Sequence, residues 1–466
     1  MESKRSKISI PDGPPKEWGP PNKEAAKDDL WRKACVEALL QHGKAAMTIE
    51  FHTIPLYLYA AYSIIRDNGG AGTKARYAIL GIVEQEMLHL SLCGNIVRAL
   101  GGFQPLYDQE FVPKYDDETK LLYDEISLDL EPAEKSLLDT FIKIESPYEA
   151  PHKDLKPEVD ISDEALGFAK FTTVVGKKYK SIGDFYKVFE QGLKIIYGWY
   201  PDILSNNPDV QFSSEDFFGD NMTVVKDLET ALKAMTTIVD QGEGSVGNPD
   251  SHYHVFLDLY KKRDTWDCYP VGKNPTTESF KDNDYIYRVG FLLLRYPKTL
   301  LIRAILFPQL SLAFDAAYCY LLRTIDMCWE TPKDSKGNPR QLTYEDKIRR
   351  QYLMRNIHAI MMDLLTPIAD ILVQQPFNDT QNASPCFDFY HLPQDSKVSQ
   401  EQGLFDGITE ELKKAMETSG GRAGGHKSKL EAILYSASQL PPNPPPSTTT
   451  RSGRVADETT HTSTKI

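Results

Sequence analysis

The stretch that decides the fold is Gly81–Ala99, GIVEQEMLHLSLCGNIVRA. Apolar residues recur in and around it at the three- and four-residue spacing of a buried helix face: Ile79, Ile82, Val83, Leu90, Cys93, Val97 and Leu100. Glu86 lies three residues after one member of this stripe and four before the next, with His89 beside it one turn later. The pattern therefore predicts a helix that buries a carboxylate next to an imidazole.

This Glu-x-x-His pair allows two interpretations. Burying a carboxylate costs on the order of several kcal/mol unless a positive charge compensates it, and a metal ion does so well. The same pair, projecting inward from a bundle helix, supplies half of the site in di-iron and di-manganese carboxylate proteins. The alternative is a core glutamate paired with a core histidine, without any ion.

A second carboxylate, Glu50, lies on the apolar stripe of the preceding helix, which is predicted over residues 24–65. Like Glu86, it follows one apolar residue by three positions and precedes another by four. Pro55 is expected to kink this helix and to free backbone carbonyls one turn earlier. His52 points away from Glu50 and is assigned to the surface or to a supporting position around the site.

Two later helices are predicted to carry the remaining candidate ligands. A third helix begins at Ser181, and Glu190 lies at the edge of its apolar stripe, either inward or solvated. A fourth helix over Thr223–Gln241 is followed by Glu243, whose flanking glycines let it turn towards a pocket, unless it belongs to an ordinary acidic turn. If a helix resumes at residue 251, His252 is the inward imidazole.

Together these residues give the inventory Glu, Glu-x-x-His, Glu, Glu…His over four helices, which is the ligand set of a di-metal carboxylate bundle. The predicted metal ligands are Glu50, Glu86, His89, Glu190, Glu243 and His252, and the predicted catalytic residues are Glu50, Glu86, His89 and Glu243. Glu243 and His252 depart from the pattern because they are nine residues apart rather than three. That spacing requires a broken helix, or it means that one metal position is altered or lost.

The composition of the chain limits the expected binding partners and the expected cellular location. A net charge of −13 argues against nucleic acid and anionic membranes as partners. The six cysteines are scattered without a CxxC pair, and the N-terminus lacks the apolar core of a signal peptide, so a reducing, cytoplasmic location is expected. The longest apolar stretch, residues 286–314, is interrupted by four basic residues and is not expected to span a membrane.

Segment composition predicts four regions. An irregular arm covers residues 1–23, and a four-helix bundle covers 24–261 with an insertion at 103–180 that acts as its long crossover or as an interaction domain. A helical region at 262–395 is expected to cover the site or to form the interface of a homo-oligomer. Residues 396–466 are expected to be mostly disordered, with one short amphipathic helix over Gly403–Thr418.

Several segments, in order, resemble a known family. IEFHTIPLYLYAAYSI, IVEQEMLHLSLCGNIVRALGG, SIGDFYKVF, IVDQGEGS and SHYHVF are similar to the ferritin-like domain of iminophenyl-pyruvate dimer synthases of violacein- and rebeccamycin-type biosynthesis. YPVGKNP and ASPCFDF resemble the C-terminal region of that family, so the similarity covers roughly residues 35–392. The resemblance implies an all-α, ferritin-like four-helix bundle with a C-terminal helical region packed on it. It also assigns ligand roles to Glu50, Glu86, His89, Glu243 and His252, while Glu190 rests on periodicity alone.

The resemblance further implies oxidative, carbon–carbon-forming dimerisation of amino-acid-derived imines, and hence a small-molecule substrate. The function favoured by the sequence is a non-haem oxidoreductase of secondary metabolism holding one or two iron ions, with manganese as the alternative metal. Haem is not expected because the chain has no Cys-x-x-Cys-His motif. Two alternatives stay open: a ferritin-like metal-binding protein without turnover, and a pseudoenzyme or partner protein. Four aromatic residues near the predicted ligands suit either an aromatic substrate or a plain core: Phe51, Tyr57, Tyr186 and Phe189.

Overall fold

The structure is a computed structural model that describes residues 18–20, 22–116, 120–121, 126–146, 181–204, 206–242, 249–279, 299–393, 397–418 and 426–443. Its secondary structure is almost entirely helical, apart from a short antiparallel pair of strands, Lys120–Leu121 and Ile126–Ser127. The expectation of an all-α fold is therefore confirmed.

Two long helices, α1 (Asp29–Ser63) and α2 (Ala71–Ala99), form an antiparallel hairpin. α1 begins later than the predicted residue 24, because the Asp28 carboxylate accepts a hydrogen bond from the Leu30 backbone and caps the helix there. Pro55 lies inside α1 without ending it. The turn between the helices uses left-handed backbone at Asn68 and Gly69, a conformation that these two residue types tolerate well.

The third bundle helix is divided into two segments, α3 (Lys135–Ile144) and α4 (Ile182–Trp199), which lie along α1. Before α3 begins, the Ala133 backbone donates to Ser63 at the end of α1, and the Tyr57 hydroxyl donates to Glu145 just after α3 ends. In α4, Tyr186 then bonds to Glu50. Both segments therefore run antiparallel to α1 and parallel to α2.

The fourth bundle helix is divided in the same way, into α5 (Leu228–Gln241) and α6 (His252–Lys262), which lie along α2. Asn95 of α2 donates to the backbone of Thr223 ahead of α5, His89 contacts Gln241, and Gln85 contacts His252. Both segments therefore run antiparallel to α2. The prediction of a ferritin-like bundle whose second and third helices run parallel is confirmed.

The predicted insertion at residues 103–180 needs a correction, because α3 lies inside that range and belongs to the bundle. Its apolar side chains Leu138 and Phe141 are fully buried, and Phe141 packs on Tyr57 of α1. The crossover itself is therefore shorter and ends before Lys135. Residues 147–180, which made up the rest of the predicted insertion, lie outside the described residues.

A C-terminal helical region packs on the outer face of the α1–α2 hairpin. It contains α7 (Thr299–Glu330), α8 (Tyr344–Ala359), a π-helical segment (Ile360–Leu365) and α9 (Thr366–Leu372). Trp329 fills the space over Gly94 of α2, and the Asp326 carboxylate accepts the backbone N–H groups of Leu106 and Tyr107 in the crossover. At the other end, Asp370 binds Arg76 of α2.

Residues 396–466 contain two packed helices, α10 (Gln400–Thr418) and α11 (Lys427–Ser438). α10 corresponds to the short helix predicted over Gly403–Thr418, whereas α11 lies in a segment that was expected to be disordered. Leu404, Ile408 and Leu412 recur at four-residue spacing and are almost completely buried, so α10 has a full apolar face. The backbone after α11 accepts a hydrogen bond from Tyr320 of α7 at Leu440. Residues beyond 443 lie outside the described part of the chain.

Among the described helices, none combines the length and the apolar character that crossing a membrane requires. Of the predicted N-terminal arm, residues 18–20 and 22–23 are described. Trp18 there is buried and packs against His42 of α1, with the two rings tilted by 54°.

Candidate metal centre

Five buried side chains from four parts of the bundle converge at its centre. They form two overlapping groups, Glu50–Glu86–His89 and Glu86–Glu145–His252, and in each group the ligand atoms lie within 4.8 Å of one another. Glu86 belongs to both groups. The arrangement therefore offers two adjacent positions for a metal ion, with one carboxylate shared between them.

The first group comes from the two continuous helices. The apolar stripes of α1 and α2 turn Glu50 and Glu86 inward, and the three-residue spacing places His89 beside Glu86. His89 Nδ1 lies 3.4 Å from Glu50 Oε2 and 3.5 Å from Glu86 Oε2. Burial alone would lower the pKa of His89, but these two carboxylates outweigh it and raise the pKa to about 10.

The second group comes from the divided helices. Glu145 is the first residue after α3, and His252 is the first residue of α6, whose N-cap Ser251 accepts a hydrogen bond from the His254 backbone. His252 Nδ1 lies 2.9 Å from Glu86 Oε1 and 3.6 Å from Glu145 Oε2. Burial opposes the charged imidazole, but both carboxylates raise the pKa of His252 to about 9.

The carboxylates differ in their electrostatics. Burial raises the pKa of Glu86, but the facing His252 and His89 reverse this effect and hold it well below its usual range. For Glu50, burial is the largest effect and raises the pKa to about 7, even though His89 opposes the shift. Glu86, which belongs to both groups, therefore stays ionised more readily than Glu50.

Two buried tyrosines hold the outer carboxylates. The Tyr186 hydroxyl donates to Glu50 Oε1 at 2.6 Å, and the Tyr57 hydroxyl donates to Glu145 Oε1 at 2.5 Å. Burial raises the pKa of both tyrosines well above the usual value, so both hydroxyls keep their protons. Each tyrosine occupies one carboxylate oxygen. In each case the other oxygen, Oε2, is the one that lies near a histidine of the cluster.

The centre lies at the breaks of the two divided helices. Besides the ligands, its small cavity is lined by Ile182 and Gly183 at the start of α4, and by Val239 and Gly242 at the end of α5. The cavity has a volume of about 10 Å³, which is the size of one water molecule or ion. No described residue after α6 lines this cavity, so the described C-terminal helices do not cover the centre.

The chemistry of this donor set fits a metal ion. His252 Nδ1 is buried and has no aligned hydrogen-bond partner among the described residues, although it faces two carboxylates. Within the described ranges, no lysine or arginine pairs with Glu50, Glu86 or Glu145, so histidine is the only cationic group compensating three buried carboxylates. Mixed carboxylate and imidazole ligands suit iron, manganese and zinc.

The structure places some of the predicted site residues in the cluster and others outside it. The structure brings together Glu50, Glu86, His89 and His252. Glu190 is not part of the cluster: its carboxylate pairs with Lys194 on the partly exposed face of α4, because Phe185 and Phe189 occupy the inward positions of that helix. Glu243 lies outside the described residues.

His52, which was assigned to the surface or to a supporting position, bonds through Nδ1 to the Thr48 backbone. Burial lowers its pKa to about 4, so the side chain is a neutral, packed histidine rather than a surface one. It is not a member of either ligand group.

Glu145 is the member of the cluster that the sequence analysis does not identify. It stands at the start of an acidic stretch that was assigned to the connection between helices. A signal was nevertheless present, because Glu145 follows Phe141 by four residues and Ile142 by three, on the apolar stripe of α3. Glu86 and Glu50 likewise follow an apolar residue by three positions.

A family model described as Ferritin-like matches residues 44–261, from the middle of α1 to the end of α6. This part of the chain is a ferritin-like domain. The matched range contains all five clustered residues. The resemblance inferred from the sequence motifs is therefore confirmed at the level of the domain.

The chain is also similar to a curated protein and to a protein of solved structure. Dichlorochromopyrrolate synthase from Lentzea aerocolonigenes is 23% identical over 415 residues, covering 76% of this chain. This chain spans 36% of the length of that relative. A ferritin-like protein from Caulobacter vibrioides with a solved crystal structure is 21% identical, with a TM-score of 0.40, covering 68% of this chain and 94% of that chain.

Proposed function

We propose that this protein is a two-metal oxidoreductase of secondary metabolism that acts on an amino-acid-derived aromatic imine or a similar small molecule. The observation that carries the proposal is the pair of ligand groups sharing Glu86 inside a ferritin-like domain. The similarity to a dichlorochromopyrrolate synthase supports the assignment to secondary metabolism. We further propose a cytoplasmic location, in keeping with the absence of a membrane-spanning helix among the described residues.

Glu50 and His89 would hold one ion, and Glu145 and His252 would hold the other. Glu86 would contribute to both sites. Iron is the proposed metal, with manganese as the alternative, because oxygen and imidazole donors suit both. Iron, when bound, would supply redox chemistry with dioxygen or peroxide, while the protein would supply the geometry and a dry pocket. Tyr186 and Tyr57 fix the orientation of the outer carboxylates throughout.

The proposed reaction joins two substrate molecules by a carbon–carbon bond. Such a coupling removes two electrons and two protons from the pair, and dioxygen accepts them to give hydrogen peroxide. The aromatic residues near the ligands are not available to bind substrate, because Phe51 stacks on Phe111 and Tyr57 packs against Phe141 and Phe256. In this proposal, a substrate approaches the centre from the side where Gly183 and Gly242 line the cavity, at the breaks of the two divided helices.

The experiment that tests the proposal measures metal content and oxygen consumption on the same preparations. Wild-type protein is expected to contain two ions per chain and to consume oxygen when an aromatic amino-acid-derived imine is generated in the assay. Glu86→Ala is expected to lose both properties. Near-zero iron, manganese and zinc in protein loaded and desalted without oxygen would sink the proposal.

One observation favours a second function, namely metal binding without turnover. The described cavity is the size of an ion and holds no room for an aromatic molecule. In that case the protein would bind both metals stoichiometrically and consume no oxygen with any aromatic imine or amine. The paired measurement above separates the two functions.

A further inference from the structure

Each histidine of the cluster is bonded on its far side by a glutamine. His89 Nε2 lies 3.0 Å from Oε1 of Gln241, the last residue of α5. His252 Nε2 lies 2.8 Å from Oε1 of Gln85, the residue before Glu86 on α2. The pairing is therefore crossed, because each glutamine supports the histidine of the opposite helix.

The chemistry of the amide decides which nitrogen of each ring carries the proton. A carboxamide oxygen accepts hydrogen bonds and cannot donate them, so Nε2 must carry the hydrogen in both histidines. In the neutral ring the lone pair then lies on Nδ1. Nδ1 is the nitrogen that faces the carboxylates in both residues. Both glutamines therefore select the same tautomer.

We propose that Gln85 and Gln241 are positioning residues, each of which fixes the tautomer and ring orientation of one metal-binding histidine. This inference rests on the proposed two-metal function. Gln241 acts on the ion held by Glu50, Glu86 and His89, whereas Gln85 acts on the ion held by Glu86, Glu145 and His252. A neutral amide also supports each ring without adding a charge beside three buried carboxylates.

The test replaces each glutamine by methionine, which keeps the length and shape of the side chain but removes the amide acceptor. Cobalt(II) is titrated into metal-free protein, and its visible absorption and its affinity are recorded. Wild-type protein is expected to bind two ions. Gln241→Met and Gln85→Met are each expected to bind one ion as before and the other about 10- to 100-fold more weakly. The two variants should lose different parts of the cobalt spectrum.

Two further variants separate positioning from folding. Gln241→Glu and Gln85→Glu keep an acceptor oxygen and are expected to restore binding of the second ion. Gln211→Met is the control, because Gln211 is buried and its side-chain amide bonds the Val225 backbone both as donor and as acceptor, away from the cluster. It is expected to leave cobalt affinity unchanged, while circular dichroism reports the folding of every variant.

The outcomes distinguish the inference from the function on which it rests. Methionine variants that bind both ions with wild-type affinity would overturn the positioning role and leave the two-metal function standing. Methionine and glutamate variants that lose binding equally would also overturn the positioning role, because restoring the acceptor oxygen would then not restore the ion. Wild-type protein that binds no cobalt would overturn the proposed function and this inference with it.

Discussion

The two halves of the bundle build their parts of the centre in different ways. α1 and α2 are continuous through the centre and carry Glu50, Glu86 and His89 in mid-helix. The other two bundle helices are each broken at the level of the centre, and their ligands lie at the breaks: Glu145 directly after α3, and His252 at the start of α6. In the continuous half, helical spacing brings the candidate ligands together. In the divided half, the candidate ligands lie where helices end or begin.

This difference explains why the five clustered residues include one Glu-x-x-His pair rather than two. Within a continuous helix, a glutamate and a histidine must be three residues apart to face the same ion. Where a helix ends, the regular helical spacing ends with it, so sequence spacing no longer controls which side chains meet. Glu145 and His252 are more than one hundred residues apart in sequence and still share one ligand group.

The largest expected effect comes from a substitution that alters both ligand groups at once. Glu86→Gln is expected to reduce bound metal from two ions per chain to near zero, because Glu86 belongs to both groups and a neutral amide replaces its charge. Metal analysis by mass spectrometry after anaerobic loading checks this result. Glu84→Gln is the matched control, since Glu84 is exposed on the same helix two residues away. Equal metal content in both variants would remove Glu86 from the centre.

The next effect separates the divided half from the continuous half. Glu145→Gln is expected to lose one ion and to keep the ion held by Glu50, Glu86 and His89. Glu190→Gln is expected to keep both, because Glu190 pairs with Lys194 on the outer side of α4. The measurement is again metal per chain. If Glu190→Gln lost an ion and Glu145→Gln lost none, Glu190 rather than Glu145 would be the ligand.

A smaller effect concerns pH and sharpens the role of the two histidines. Their pKa values are raised to about 10 for His89 and about 9 for His252, so both rings are protonated near neutral pH in the metal-free protein. A metal ion must displace these protons, and metal affinity is therefore expected to rise with pH. The rise is up to about tenfold per pH unit for each proton displaced.

Free manganese measured by electron paramagnetic resonance, from about pH 6.5 to about pH 8.5, provides the binding curve for this prediction. Calorimetry in buffers of different ionisation enthalpy counts the protons that are released. Affinity that stays constant over this range would show that the imidazoles do not bind the ion.

The smallest effect tests whether the outer face of the continuous half is independent of the centre. A Cβ atom at Gly94 would lie 2.0 Å from Trp329 Cζ2, so Gly94→Ala is expected to cost about 1–3 kcal/mol of unfolding free energy. Gly81 on the same helix has no atom within 4 Å of that position, and Gly81→Ala is expected to stabilise by up to about 1 kcal/mol. Urea denaturation measures both changes, and unchanged metal content in both variants separates packing from the centre.

The sequence predicted the continuous half well, because long apolar stripes define which residues face inward. Glu50, Glu86 and His89 all follow from that rule, as do the bundle and its crossover. The apolar-stripe rule did not identify the inward residues of the divided half in two places. α3 is a short helix, and Glu145 lies one residue beyond its end, where an acidic stretch hid the continuing stripe. On α4, Glu190 is next to the inward Phe189 in sequence, and one residue rotates a helical side chain by about a quarter turn.

The tail shows a related difficulty. Glycine-, proline- and serine-rich segments on both sides of α11 gave that region the composition of a disordered chain. The helix is held by contacts that composition does not reveal, such as the burial of Leu430 and Ile433. Local composition therefore missed the tertiary packing of this helix.

The central claim is that the breaks of two bundle helices complete a two-metal centre. Anomalous scattering at the metal absorption edge, from crystals of iron- or manganese-loaded protein, tests it most directly. We expect two peaks on either side of the Glu86 carboxylate, one next to His89 and the other next to His252. A single peak at His89, with none between Glu145 and His252, would contradict the claim.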